Sequence, residues 1–220
     1  MGPDALNPRV YERQRRQLIE TMQERGIDDL AVLRAFDLVP RHLFLPPAVQ
    51  HRAYDDAPLP IGFGQTASQP SLQALYMQTL QLQANERVLE IGTGTGFQTA
   101  VLAQLVAHVY SVERVRELSS RARQILDQLR IPNVALLVGD GTIGWSRYAP
   151  FDAMLVAAAA PSIPDALVEQ LGPGGRMLIP LGDRNEQQLT LVRRTETGIE
   201  QESVTRCTFV PLIGRFGWSS

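Results

Sequence analysis

Residues Arg87 to Gln98 read RVLEIGTGTGFQ, and the rest of the chain is best read outward from them. Val88, Leu89 and Ile91 form a short apolar run of the kind that makes a buried strand, and Gly92, Gly94 and Gly96 let the backbone turn sharply and approach a ligand closely. The segment TAVLAQLV (Thr99 to Val106) predicts the helix that follows. A strand, a glycine turn and a helix N-terminus aim unpaired N–H groups at one spot, where a nucleotide or a carboxylate can sit.

The spacing decides which nucleotide. Dinucleotide folds carry G-x-G-x-x-G and phosphate loops end in G-K-[ST], whereas this chain has G-x-G-x-G and all 21 of its basic residues are arginine. Glu90 would repel a pyrophosphate. It is suited to receive a cationic amino-acid head group, or to hold the loop by accepting backbone N–H bonds. E-x-G-x-G-x-G is the pattern of S-adenosylmethionine (SAM) methyltransferases.

After the loop, strands and helices alternate. Ala107 to Val112 predicts a strand ending at Glu113, followed by a helix with Leu118, Ala122, Ile125 and Leu129 on one face. Val134 to Val138, Phe151 to Val156 and Arg176 to Pro180 predict further strands, with a short helix from Pro164 to Leu171. This implies an α/β fold, a doubly wound, mostly parallel, Rossmann-like sheet with right-handed crossovers. Gln188 to Arg193 and Ser203 to Val210 predict an antiparallel pair at its end. Ligands of such sheets bind beyond the carboxyl ends of the strands, which here carry Glu90, Glu113, Asp140 and the Ala157 to Pro161 loop. Glu113 stands where an acid accepts ribose hydroxyls, and Asp140 where one accepts the adenine amino group, with Gly141 letting the base come close.

The first 80 residues read as an N-terminal helical extension with a loop of its own, and 81–220 as the core domain. Val10 to Arg25, with Val10, Leu18, Ile19 and Met22, predicts a helix stopped by Gly26, and Arg13, Arg15 and Arg16 lie on its solvated face. Asp28 or Asp29 caps a second helix, Leu30 to Leu38. HLFLPP (His42 to Pro47) predicts an irregular segment packed on the core. IGFGQTAS (Ile61 to Ser68) predicts a loop before a helix that opens at Pro70 and presents Leu72, Leu75, Tyr76 and Leu80. Thr66 and Ser68 lie at or just outside that helix N-terminus, where a hydroxyl caps the helix or binds substrate.

The composition narrows the classes. A chain of 220 residues with 44% apolar content and a net charge of −2 has no global pull toward nucleic acid or anionic lipid. The lone Cys207 and the scattered His42, His51 and His108 assemble no metal site, and the absence of lysine excludes Schiff-base chemistry. No signal peptide is read and no apolar run approaches the roughly 20 residues of a membrane span. A cytoplasmic monomer without nucleic-acid or membrane partners is the expectation.

Over nearly its whole length the chain resembles the protein-L-isoaspartate (D-aspartate) O-methyltransferases. The resemblance runs through VPRHLFLP, LPIGFGQTASQP, VLEIGTGTGFQTAVLAQL, YSVER, GDG, FDAMLVAAAAPSIPDALVEQL, GPGGRMLIPLG and FVPL. The segment G-Q-T-x-S-Q-P, ahead of the glycine strand, is particular to these repair enzymes. The resemblance implies SAM as cofactor and isoaspartyl residues of damaged proteins and peptides as substrate. It implies that Ser68 is the active-site hydroxyl, with Thr66 and Val210 beside the substrate. It further implies a cofactor site of Glu90, Gly92, Thr93, Gly94, Gly96, Gln98, Glu113, Arg114, Asp140 and Gly141. One departure is Ala67, where the family usually has isoleucine, so the pocket wall is expected to be looser. The rivals are a SAM methyltransferase for RNA or a small molecule, a nicotinamide dehydrogenase, and a non-catalytic protein that keeps the fold.

Overall fold

A computed structural model describes residues 8–219, with side chains from residue 11 onward. The first seven residues of the N-terminal extension, and the apolar role expected of the Val10 side chain, lie outside the described residues.

The N-terminal part contains helices α1 (Pro8–Glu24) and α2 (Leu30–Leu38), 3-10 turns at Arg41–Phe44 and Pro47–Arg52, strands β1 (Leu59–Gly62) and β2 (Gln65–Ala67), and helix α3 (Pro70–Leu80). Asp29, not Asp28, caps α2 by accepting from the N–H groups of Ala31 and Val32. There follow β3 (Arg87–Ile91), α4 (Phe97–Leu102), β4 (His108–Glu113), α5 (Arg116–Gln128), β5 (Val134–Val138), β6 (Phe151–Val156), α6 (Asp165–Val168), β7 (Leu171–Gly182), β8 (Gln187–Thr195) and β9 (Gly198–Cys207).

The last seven strands form one sheet in the order β5-β4-β3-β6-β7-β8-β9. The chain winds outward from β3 through β4 to β5, then returns to lay β6 on the other side of β3, all in parallel. That reversal beside β3 is where such sheets open a crevice. Beyond β7 the strands run antiparallel.

Strand alternation sorts the side chains onto two covered faces. Val88, Leu155 and Leu178 join one core, which also takes in Leu18, Met22, Phe36, Tyr76 and Met77 of the N-terminal helices. Leu89, Ile91, Met154, Val156, Met177 and Ile179 join the other. No helix among the described residues is long and apolar enough to cross a membrane.

Several expected boundaries move. The presumed loop IGFGQTAS is mostly a hairpin, in which β1 and β2 pair antiparallel around Gly62, Phe63 and Gly64, all with positive φ. The helix after the glycine loop begins earlier and is shorter than expected, since Gly96 (φ +85) starts it and the chain turns again after Leu102. The helix expected to reach Leu171 stops at Val168, because Leu171 already pairs with Phe151; the glycines that follow form a bulge within β7. Strand β9 starts at Gly198 and ends at Cys207, whose partner Gln187 is the first residue of β8, so Val210 lies beyond the ladder.

Candidate active site

The carboxyl ends of β3 and β4 meet the β1–β2 hairpin and the chain after β9 in one cleft. Its lining includes Ile61, Gln65, Thr66, Ala67, Ser68 and Gln73 from the N-terminal part, Gly92 to Thr95 from the glycine loop, and Gln98, Glu113, Leu118, Ala157 and Val210. A second lobe shares Gln65, Gly92, Glu113, Ala157 and Val210 and adds Arg114, Gly141, Ala158 and Pro211 to Ile213. Thr66, Ser68 and Val210 are thus brought to the same cleft as the glycine loop.

Gly96 is glycine for two reasons. Its φ is positive, and a Cβ there would lie 2.8 Å from the Cβ of Ala122, so the loop settles onto α5 only without a side chain. A Cβ on Gly141 would overlap Ile91. Close packing on β3 therefore requires that glycine, whether or not a base lies near it.

Glu113 is 6% exposed; its carboxylate accepts from the N–H of Gly94 (2.9 Å) and of Val115 (2.8 Å). It both faces the cleft and fixes the loop. The Asp140 carboxylate accepts from the Thr142 N–H and hydroxyl and from the Arg215 N–H. Burial works to raise this carboxyl, but those bonds hold it below its ordinary value. Arg114 is exposed at the rim.

Glu90 is a correction. It has no exposed surface and lines neither lobe. The alternation of β3 turns it to the same face as Val88, under α4, where it accepts from Gln98 Nε2 (3.0 Å), Ser111 Oγ (2.6 Å) and the Thr99 hydroxyl. Among the described residues its carboxylate accepts from side chains and from no backbone N–H, so it ties the loop's surroundings together from beneath the cleft. Burial pushes its carboxyl up to about 7 against the opposing hydrogen bonds. Thr93 belongs to the same network, with its hydroxyl 2.6 Å from Ser111 Oγ. Gln98 joins the network to the cleft by accepting from Gln73 Nε2 (3.2 Å).

Neither Thr66 nor Ser68 caps α3. The N-terminus of that helix is held instead by Asp56, which accepts from the Ser71 N–H (2.8 Å), Ser71 Oγ (2.8 Å) and Gln69 Nε2 (2.9 Å), and pairs with Arg25 (2.9 Å). The Ser68 hydroxyl makes no hydrogen bond among the described residues, and Ser68 lines the cleft. Gln73, an amide only 6% exposed on α3, was not singled out by the sequence, because its burial shows only once the helix is packed. The same holds for Asp56 and Arg41, which only the packing reveals.

The lining carries the chemistry an adenosyl amino acid calls for. It offers an acid for a ribose diol, apolar walls at Leu118, Ala157 and Ala158 for a purine, and a loop whose glycines keep side chains out of the way.

The sequence profile described as protein-L-isoaspartate (D-aspartate) O-methyltransferase matches residues 13–217. The chain belongs to this family. Among curated relatives of the family, the protein-L-isoaspartate O-methyltransferase of Trichlorobacter lovleyi is 50% identical over 205 residues, covering 93% of this chain and 94% of that one. The same enzyme of Geobacter metallireducens is 48% identical over 94% of this chain and 96% of its own. One solved protein-L-isoaspartate O-methyltransferase superposes with a TM-score of 0.84 at 30% identity, over 92% of this chain and 67% of that one. A Plasmodium falciparum protein described by the same name, solved in complex with S-adenosyl-L-homocysteine, gives a TM-score of 0.79 at 26% identity, over 90% of this chain and 97% of that one. Family membership makes SAM the cofactor.

Proposed function

We propose that the protein methylates the free carboxylate of L-isoaspartyl residues in proteins and peptides, with SAM as methyl donor. The observation that carries this reading is Ser68, whose hydroxyl is uncommitted among the described residues and which, in the family's G-Q-T-x-S-Q-P segment, lines one cleft with the glycine loop.

An isoaspartyl carboxylate is already ionised near neutral pH and needs no general base. None of the lining residues is a histidine or lysine, in keeping with that economy. SAM, when bound, supplies an electrophilic methyl carbon on a sulfonium. Glu113 is suited to accept from ribose hydroxyls, with Gly92, Gly94 and Gly96 shaping the loop beside it. Ser68 and Thr66 are suited to orient a carboxylate by donating hydrogen bonds without the tight grip of a salt bridge. Val210, Ala157 and Leu118 keep water from the reacting groups, and alignment with exclusion of water supplies the acceleration.

D-aspartyl residues, and spontaneous closure of the methyl ester to a succinimide that reopens partly as aspartate, belong to the same proposal. So do a cytoplasmic setting and action as a monomer. The test is labelled methyl transfer to paired peptides that differ only in an aspartyl or isoaspartyl linkage, with a D-aspartyl peptide alongside. Label in the isoaspartyl peptide and not in its aspartyl twin is expected. Equal labelling, or none, removes the assignment.

A further inference from the structure

Arg41 lies one layer behind the cleft and takes no part in the chemistry described so far. Its side chain is 1% exposed, and its guanidinium donates to the Ser68 carbonyl (3.2 Å) and to Gln73 Oε1 (3.4 Å), both long bonds, with the Phe97 ring 5.1 Å away. A guanidinium has five N–H donors, and the Nε of this one has no partner among the described residues. Its acidic neighbours are engaged elsewhere: Asp56 with Ser71, Gln69 and Arg25, and Asp55 with Arg52. A buried cation so thinly neutralised projects its field through the low-dielectric wall on which Ser68 and Gln73 stand.

Resting on the isoaspartyl reading above, we infer that Arg41 is a positioning residue for the substrate carboxylate: its fork fixes the Ser68 segment and its charge draws the anion to that wall. The two roles separate kinetically. Charge at a distance governs how well the carboxylate binds, and the fork governs how well it is aligned for attack.

The test compares Arg41→Met and Arg41→Lys with the wild-type protein in methyl transfer to an isoaspartyl peptide, with titration of S-adenosyl-L-homocysteine on each. Arg41→Met is expected to raise the peptide KM by about tenfold or more and to lower kcat. Arg41→Lys is expected to bring KM back toward wild type while kcat stays low, because an ammonium keeps the charge without the two-pronged grip. Affinity for S-adenosyl-L-homocysteine should stay within about twofold in both, since the glycine loop and Glu113 are untouched. Wild-type peptide kinetics in Arg41→Met, or a parallel loss of S-adenosyl-L-homocysteine affinity, would overturn the inference. Should Arg41→Met fail to fold, Arg41→Lys decides it: a wild-type kcat sinks the fork. A wild-type protein that leaves the isoaspartyl peptide unmethylated sinks the functional reading itself, a result distinct from any difference between the variants.

Discussion

The acid two residues before the glycines shows how a side chain can stand out in the sequence while the way it faces stays hidden. The spacing singled out Glu90, but its direction follows from the pleat of β3 and its partners come from α4 and β4, which no local pattern joins. With its carboxyl raised from 4.5 to about 7, the folded state holds a proton that the unfolded state gives up earlier. The stability Glu90 contributes is therefore full below about pH 4.5 and is lost as pH rises through about 7, on the order of a few kcal/mol. Denaturant melts at pH 5 and pH 8 should show this slope, and Glu90→Gln should flatten it; an unchanged slope would mean that Glu90 does not titrate there. Ser68 and Asp56 make a second residue-scale contrast. Ser68→Ala is expected to cut turnover with the melting temperature unmoved. Asp56→Ala, which strips α3 of its cap, should cost about 1–3 kcal/mol of stability in the same melts.

At the scale of elements, apolar runs located β3 to β7, because a strand buried on both faces needs consecutive Val, Leu and Ile whatever its neighbours do, while alternation located β8 and only the second half of the exposed β9. Boundaries set by pairing were not legible: the early start of β7 depends on Phe151, and the end of β9 on where β8 begins. The β1–β2 hairpin was hidden because its strands are short and its turn is rich in glycine. Arg176 joins two such elements. It donates through Nε to the Leu80 carbonyl (2.6 Å), through Nη2 to the Gln81 carbonyl (2.9 Å), and in a fork to Glu86, clamping the end of α3 to β7. Both side chains are largely buried, at 13% and 12% exposure. Arg176→Ala should destabilise by about 3–5 kcal/mol, since it strips the largely buried Glu86 of its counter-charge and removes a donor from the Leu80, Gln81 and Asp152 carbonyls, and lysine should not restore the loss. Chemical denaturation reads this directly.

For the molecule as a whole, the sheet order and the crevice at its reversal follow from the alternation of strands and helices, whereas the closing of the cleft by the last segment does not. Residues 208–218 cross the ends of β5 and β6: the Ala159 N–H donates to Val210 O (2.8 Å), the Leu212 N–H to Ala159 O (2.7 Å), and the Arg215 N–H to Asp140 (2.8 Å). Exchange of backbone amides at 208–213 should slow when an isoaspartyl peptide and S-adenosyl-L-homocysteine are added together. Unchanged exchange would argue that this segment is no part of the binding surface. Glu113→Ala, by opening the far wall, should weaken S-adenosyl-L-homocysteine binding by about 1–3 kcal/mol in calorimetry. The stitches that hold the segment down are mostly main-chain atoms, indifferent to which side chains they carry. The side chains at 213, 215 and 216 can thus change without loosening that latch. Gly214 and Gly217 are the exceptions, since a side chain at the first would overlap the Asp140 carboxylate and one at the second the Leu212 carbonyl.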